Sequence, residues 1–356
     1  MKNNKKKKAL IIVGVIVAVL VIAVAVNHNL ARMIFHSVWD PQVKLDVDNW
    51  EGGTAYRHVQ YSDVSEADYL NLYVPESEAP VPLIVVVHGG GFVLNDCESR
   101  QAQLFYQYFR DHGYACATVN YRLAQEAPFP AALEDVKSAI RYLRANADQY
   151  GYTADKLAIW GESAGGYLAV MAGVTSDEEF NSLPFIGEEE LAEPVSAKVS
   201  VILDYYGAVE LETQAERHAA FRELGVPGFV VKVANGWLSD AIKDYPEFET
   251  MEDFFIGRNI STLTEEEKQV FTPAYYVRKN LSADSDLNVA IWHGDADITV
   301  PWTQSQHIYE DFCETIGADR AQIKIMHNCK HAAERMFSSE TLAEVQAYLD
   351  GIVGEN

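Results

Sequence analysis

Residues 82–87 form an unbroken apolar run of strand length, Pro-Leu-Ile-Val-Val-Val. A strand without polar alternation is buried on both faces, as in parallel sheets covered by helices on either side. Further strand-like runs are predicted at 69–74, 114–120, 156–160, 199–203, 288–292 and 322–326. Helical patterns lie between them. One spans 100–112, and a small-residue helix spans 163–174. A third opens at Pro130, with Leu133, Val136, Ile140 and Leu143 on one stripe and charges opposite. Strands alternating with helices predict an α/β fold with a mostly parallel central sheet. The rhythm breaks between Leu203 and Asn288, an interval too long for a plain crossover. It carries Phe221, Phe229, Trp237, Phe248, Phe254 and Phe255 among acidic residues. We read residues 208–275 as a helical cap inserted into a domain spanning 51–354.

The chain has 356 residues, a routine length for one large α/β enzyme. At 48% hydrophobic and 22% charged it is neither disordered, collagen-like nor coiled-coil. Five of its 28 basic residues lie in the first eight positions, leaving 23 against 52 acidic ones. A body that acidic repels polyphosphates, which excludes nucleic acid as a partner. Cys97, Cys116, Cys313 and Cys329 are too few and scattered for a disulfide scaffold, and none has C-x-x-C spacing. Cys116, inside an apolar run, reads as a buried thiol.

The amino terminus reads as a separate unit. Residues 1–8 are a basic cytosolic segment, and 9–26 are uncharged and almost wholly aliphatic, long enough for a transmembrane anchor. The lysines place the amino terminus in the cytosol and the body outside. Ala23-Val24-Ala25 offers a small-x-small cleavage site, so secretion after signal removal is the alternative. No cysteine directly follows the run, so a lipoprotein anchor is not indicated. Residues 27–50 are a juxtamembrane segment whose Phe35, Trp39 and Trp50 suit either the membrane interface or packing on the domain.

Two glycine-rich runs sit where strands end. Gly161-Glu162-Ser163-Ala164-Gly165 fits G-x-S-x-G, directly after a strand and at the start of a helix. The run alone is weak, arising by chance in roughly one 350-residue chain in ten. Its strand–turn–helix setting is what gives it weight. His88-Gly89-Gly90-Gly91 follows the 82–87 strand. Without Cβ atoms its backbone N–H groups can approach a substrate oxygen. The expected oxyanion donors are Gly90, Gly91 and Ala164, with His88 a structural hydrogen-bonding residue. A nucleophilic Ser163 needs a base and an orienting acid, in the order Ser, Asp, His for such an elbow. Asp295 and Asp297 follow one strand; His327 and His331 follow the last. The turn at Gly294 carries Asp297 beyond the strand tip, while His327 abuts its strand and His331 lies in the loop before a helix. We therefore assign Asp297 and His331. No cluster has metal-ligand spacing, and neither a metal nor a cofactor is called for.

The runs HGGGFVLND (88–96), YRLAQEAPFPA (121–131) and GESAGG (161–166) resemble the hormone-sensitive-lipase branch of the α/β-hydrolase carboxylesterases. That branch carries its acid in a D-P-L-x-D context, which this chain lacks. Its WHGDADITVP (292–301) is similar to the bacterial feruloyl- and acetyl-esterase-like group and, more distantly, to prolyl-oligopeptidase-like hydrolases. The resemblance covers roughly residues 55–350 and implies an α/β-hydrolase fold, with Asp297 as acid and His331 as base. Cys329-Lys330 precedes the base where the group often has small residues. The implied activity is serine carboxylic-ester hydrolysis through an acyl-enzyme, on short-acyl or acylated-carbohydrate esters. The rivals are a prolyl-oligopeptidase-like peptidase, a membrane-tethered lipase and a non-catalytic binding module of the same fold. Oligomeric state is not legible.

Overall fold

Eight strands form one sheet: β1 (Gly53–Gln60), β2 (Tyr69–Pro75), β3 (Val81–Val87), β4 (Ala115–Val119), β5 (Tyr152–Glu162), β6 (Val201–Tyr205), β7 (Asn288–Gly294) and β8 (Ala321–Met326). Their spatial order is β1-β2-β4-β3-β5-β6-β7-β8. The β1–β2 and β2–β4 pairs are antiparallel, and all others are parallel. This computed structural model describes residues 50–213, 244–248 and 250–353. The expected membrane segment, residues 27–49, and Phe221, Phe229 and Trp237 of the expected cap lie outside the described residues. Among the described residues no helix is long and apolar enough to cross a membrane.

The apolar run that singles out β3 is buried on both faces. Leu83, Val85 and Val87 enter one core, while Ile84 and Val86 enter the other. Full burial of each such side chain stabilises the fold by ~1.5–3 kcal/mol. The main covering helices are α1 (Arg100–Arg110), α2 (Ala131–Ala145), α3 (Ala164–Val174), α4 (Met251–Ile256), α5 (Pro273–Asn280), α6 (Trp302–Ile316) and α7 (Ser339–Val353). Helix α3 lies tight on the sheet because it is built from small residues. A Cβ on Gly165 would collide with the Val87 carbonyl oxygen, and one on Gly173 with the Ile202 side chain.

Two features differ from the sequence expectations. Strand β1 was not anticipated: four of its eight residues are exposed, so it lacks an apolar signature. Strand β6 runs to Tyr205 rather than ending at Leu203, since Asp204 is buried and accepts the Gly207 N–H at 2.8 Å. Within the 208–275 interval, α4 packs towards β3 through Phe255, whose ring stacks on Phe92 at 3.7 Å. Helix α5 then returns to the helical layer beside α3 and α6. Trp50 packs on the domain, 4.8 Å under the Arg110 guanidinium and edge-on to Tyr73. All four cysteines are free, and Cys116 is fully buried.

Candidate active site

Ser163 occupies the single residue between β5 and α3, with φ 55° and ψ −119°. An L-residue in that region stores roughly 1–3 kcal/mol of strain, which persists only where the surroundings enforce it. Here they do. The Ser163 N–H donates to the Tyr205 carbonyl at 2.9 Å, and a Cβ on Gly161 would collide with the Gly165 carbonyl. The sharp turn lifts the hydroxyl above the carboxyl edge of the sheet at the amino terminus of α3.

His331 and Asp297 reach this hydroxyl from the loops after β8 and β7. The His331 Nε2 is 3.1 Å from Ser163 Oγ, and its Nδ1 is 2.6 Å from Asp297 Oδ2. The carboxylate cannot donate when ionised, so Nδ1 carries the proton and Nε2 presents a lone pair to the serine hydroxyl. The other carboxylate oxygen, Oδ1, accepts the Thr299 and Val300 N–H groups at 2.8 and 2.9 Å. Burial alone would push the Asp297 carboxyl up. The facing His331 and the hydrogen bonds from His293 and His331 outweigh burial and hold it well below the usual carboxylate range. For His331 burial pulls downward, but Asp297, by charge and hydrogen bond, with a smaller push from Glu162, raises it above the ordinary histidine value.

The sequence-predicted donors share one cavity with these groups. Gly90, Gly91 and Ala164 line a space of about 230 Å³ together with Ser163 and His331. Gly90 has φ 125°, and a Cβ there would strike the Leu94 carbonyl. Phe92, Asn95 and Ala332 also line the cavity with positive φ. His88 points away from it. Its Nδ1 meets the Gly89 carbonyl at 2.8 Å, its ring stacks on Tyr121 at 4.3 Å, and burial pulls its pKa down to about 4. The alternatives Asp295 and His327 pair with each other at 2.6 Å, and Asp295 also accepts the Asn328 N–H at 2.6 Å. That pair ties the loop bearing Asp297 to the loop bearing His331.

Two buried residues at the site escaped sequence reasoning. Glu162 lines the cavity and accepts the Gly89 N–H at 2.7 Å. Burial raises its carboxyl, against opposing pulls from His331, the Gly89 N–H and Tyr206. Its only signal was its place beside the serine. His293 lies beneath Asp297, with Nε2 3.2 Å from Oδ2. It was visible in the run after β7, but nothing in the sequence pointed it inward. Among the described residues no group of His, Cys, Asp and Glu could hold a metal ion.

A model of the BD-FAE family matches residues 70–312. Among curated proteins, the chain is 30% identical over 137 residues to Esterase LipC of Mycobacterium tuberculosis, covering 38% of this chain and 32% of that protein. It is 34% identical over 105 residues to the ethyl acetate hydrolase of Pseudomonas putida, covering 29% and 33% respectively. The chain thus spans about a third of the length of these relatives. Among solved structures, a truncated carbohydrate esterase from gut microbiota superposes with TM-score 0.67 at 21% identity, over 88% of this chain and 100% of that one. The propionate-bound esterase of Thermogutta terrifontis gives 0.59 at 18%, over 86% and 96%. These likenesses establish an α/β-hydrolase fold.

Proposed function

The chain belongs to the BD-FAE family, and from that premise we propose that it is a serine carboxylic-ester hydrolase acting through a covalent acyl-enzyme. The observation that carries this reading is the continuous hydrogen-bonded line Ser163–His331–Asp297, opening on a cavity lined by Gly90, Gly91 and Ala164. Ser163 Oγ attacks the ester carbonyl while His331 Nε2 takes its proton. Asp297 keeps the proton on Nδ1 and stabilises the imidazolium. The N–H groups of Gly90, Gly91 and Ala164 receive the developing oxyanion, each donor being worth ~3 kcal/mol of barrier. His331 returns its proton to the leaving alcohol, then activates the water that releases the acid. No step needs a metal or cofactor.

The substrates are short-acyl or acylated-carbohydrate esters. Support comes from the fold shared with carbohydrate esterases and from the polar Asn95, Gln101 and Glu252 around the cavity. Among the described residues of the 208–275 interval, Ala208, Met251 and Glu252 line the cavity, which supports reading that interval as a cap over the site. Residues 9–26 anchor the chain in the cell membrane with the catalytic domain extracytoplasmic, or direct its secretion. Turnover of p-nitrophenyl esters from acetyl to laurate, beside acetylated xylose, tests the reading. Short-chain turnover is expected. A long-chain optimum would favour the lipase, and ester-inactive protein that cleaves peptides would favour the peptidase.

A further inference from the structure

His293 is the next-to-last residue of β7 and is fully buried between that strand and α6, where a hydrocarbon side chain would be the simpler filling. Its ring is nonetheless fully engaged. Nε2 lies 3.0 Å from the Val300 carbonyl and 3.2 Å from Asp297 Oδ2. Neither of those oxygens can donate, so Nε2 carries a proton. Nδ1 lies 2.7 Å from the Ser305 hydroxyl, which donates to it. One fixed tautomer therefore gives the Nε2–H to the Val300 carbonyl and holds its positive end against Asp297 Oδ2 as a second, longer contact. The other groups facing the ring are Asp204, on the neighbouring strand β6, and Tyr206, whose ring is edge-on at 6.4 Å.

We infer that His293 is a positioning residue, acting on the reaction through Asp297. The inference rests on the serine-hydrolase reading above. Four N–H groups face Asp297: Thr299 and Val300 donate to Oδ1 and His331 to Oδ2, while the His293 N–H, bonded to the Val300 carbonyl, also lies against Oδ2. Of the two on Oδ2, His331 must change its protonation and shift during turnover. His293, held by Ser305 and Val300, stays still. It is thus the fixed donor that keeps Oδ2 in line while the imidazole opposite it works. Without it, Oδ2 keeps only the His331 N–H, and the two backbone N–H groups on Oδ1 alone oppose rotation of the carboxylate.

The test compares H293F, which fills the volume without a donor, with H293Q, whose amide N–H reaches towards the position of Nε2. On p-nitrophenyl acetate H293F is expected to lose roughly ten- to one-hundred-fold in kcat with KM changed by less than about two-fold. The acid limb of its pH profile should move to lower pH, because a loosened Asp297 supports the His331 charge less well. H293Q should recover most of the loss. The downfield proton resonance of the His331 Nδ1–H···Asp297 bond, read by NMR without substrate, should be weakened in H293F and kept in H293Q. Wild-type kcat in H293F, or H293Q as impaired as H293F, would overturn the inference. If H293F does not fold, loss of the resonance in folded H293Q overturns it equally. A wild type that hydrolyses no ester would instead sink the hydrolase reading, leaving the resonance to judge His293 alone.

Discussion

Replacing Asp297 by Asn preserves shape but changes who can donate. In the wild type Oδ1 accepts the Thr299 and Val300 N–H groups, and Oδ2 accepts the His331 N–H with the His293 N–H lying beside it. An Asn has one accepting oxygen, and its NH2 must face one of the two pairs. The Thr299 and Val300 N–H groups belong to the backbone and cannot change, so the amide oxygen stays with them. The NH2 then faces His331, which must take the other tautomer: Nδ1 accepts, and Nε2–H points at Ser163. A base in that tautomer has no lone pair for the serine proton. By the general logic of such triads kcat falls about 10³- to 10⁴-fold, or ~4–5.5 kcal/mol of barrier, with KM little changed. His331 also loses the carboxylate that raises its pKa, so residual activity extends to lower pH. Stability carries a second signature. The Asp297 carboxyl titrates below its unfolded value of about 4. Its stabilisation is therefore complete above that pH and is lost as pH falls through the lower folded value. D297N should lack that acid-side loss. Steady-state kinetics on p-nitrophenyl acetate from pH 5 to 9, with melting curves down to pH 2.5, measure both effects. A D297N enzyme keeping more than about a tenth of wild-type kcat would refute the assigned hydrogen-bond roles.

Two further perturbations have defined directions. Glu162→Gln keeps an acceptor for the Gly89 N–H but removes a charge that helps raise His331, so the acid limb of kcat/KM should move to lower pH in the same assay. Asp68 is fully buried, one of its oxygens lacks a hydrogen-bond partner, and burial, reinforced by Asp135 and opposed by Arg122, pushes it up to about 7. A raised acid weakens the fold as pH rises between its unfolded and folded values. Asp68→Asn should therefore raise the melting temperature at pH 8, with the gain vanishing towards pH 4–5.

The fold was legible wherever burial on both faces forces an apolar run. Strands β3 and β4 announce themselves this way, and the small residues of α3 follow from its contact with the β3 backbone. Strand β1 was hidden because an edge strand needs few apolar residues. Asp204 concealed the end of β6 because its partner is a backbone N–H three residues on, which no periodicity encodes. At the site, the glycine runs were readable because turns and close backbone approach demand glycine. The competition between Asp295 and Asp297, and between His327 and His331, turns on loop geometry. The structure brings Asp297 and His331 to Ser163 and pairs the other two with each other. Glu162 and His293 were beyond sequence reasoning, since burial of a polar side chain depends on partners from distant segments.

The central claim is that Ser163 is a nucleophile activated by His331. The most direct measurement treats the folded protein with a fluorophosphonate and locates the adduct by peptide mass spectrometry, with Ser163→Ala and ester turnover followed in parallel. The account predicts one adduct, on the peptide containing Ser163, and loss of both adduct and turnover in Ser163→Ala. A folded wild type that takes no adduct, or a Ser163→Ala protein that still hydrolyses esters at the wild-type rate, would contradict it.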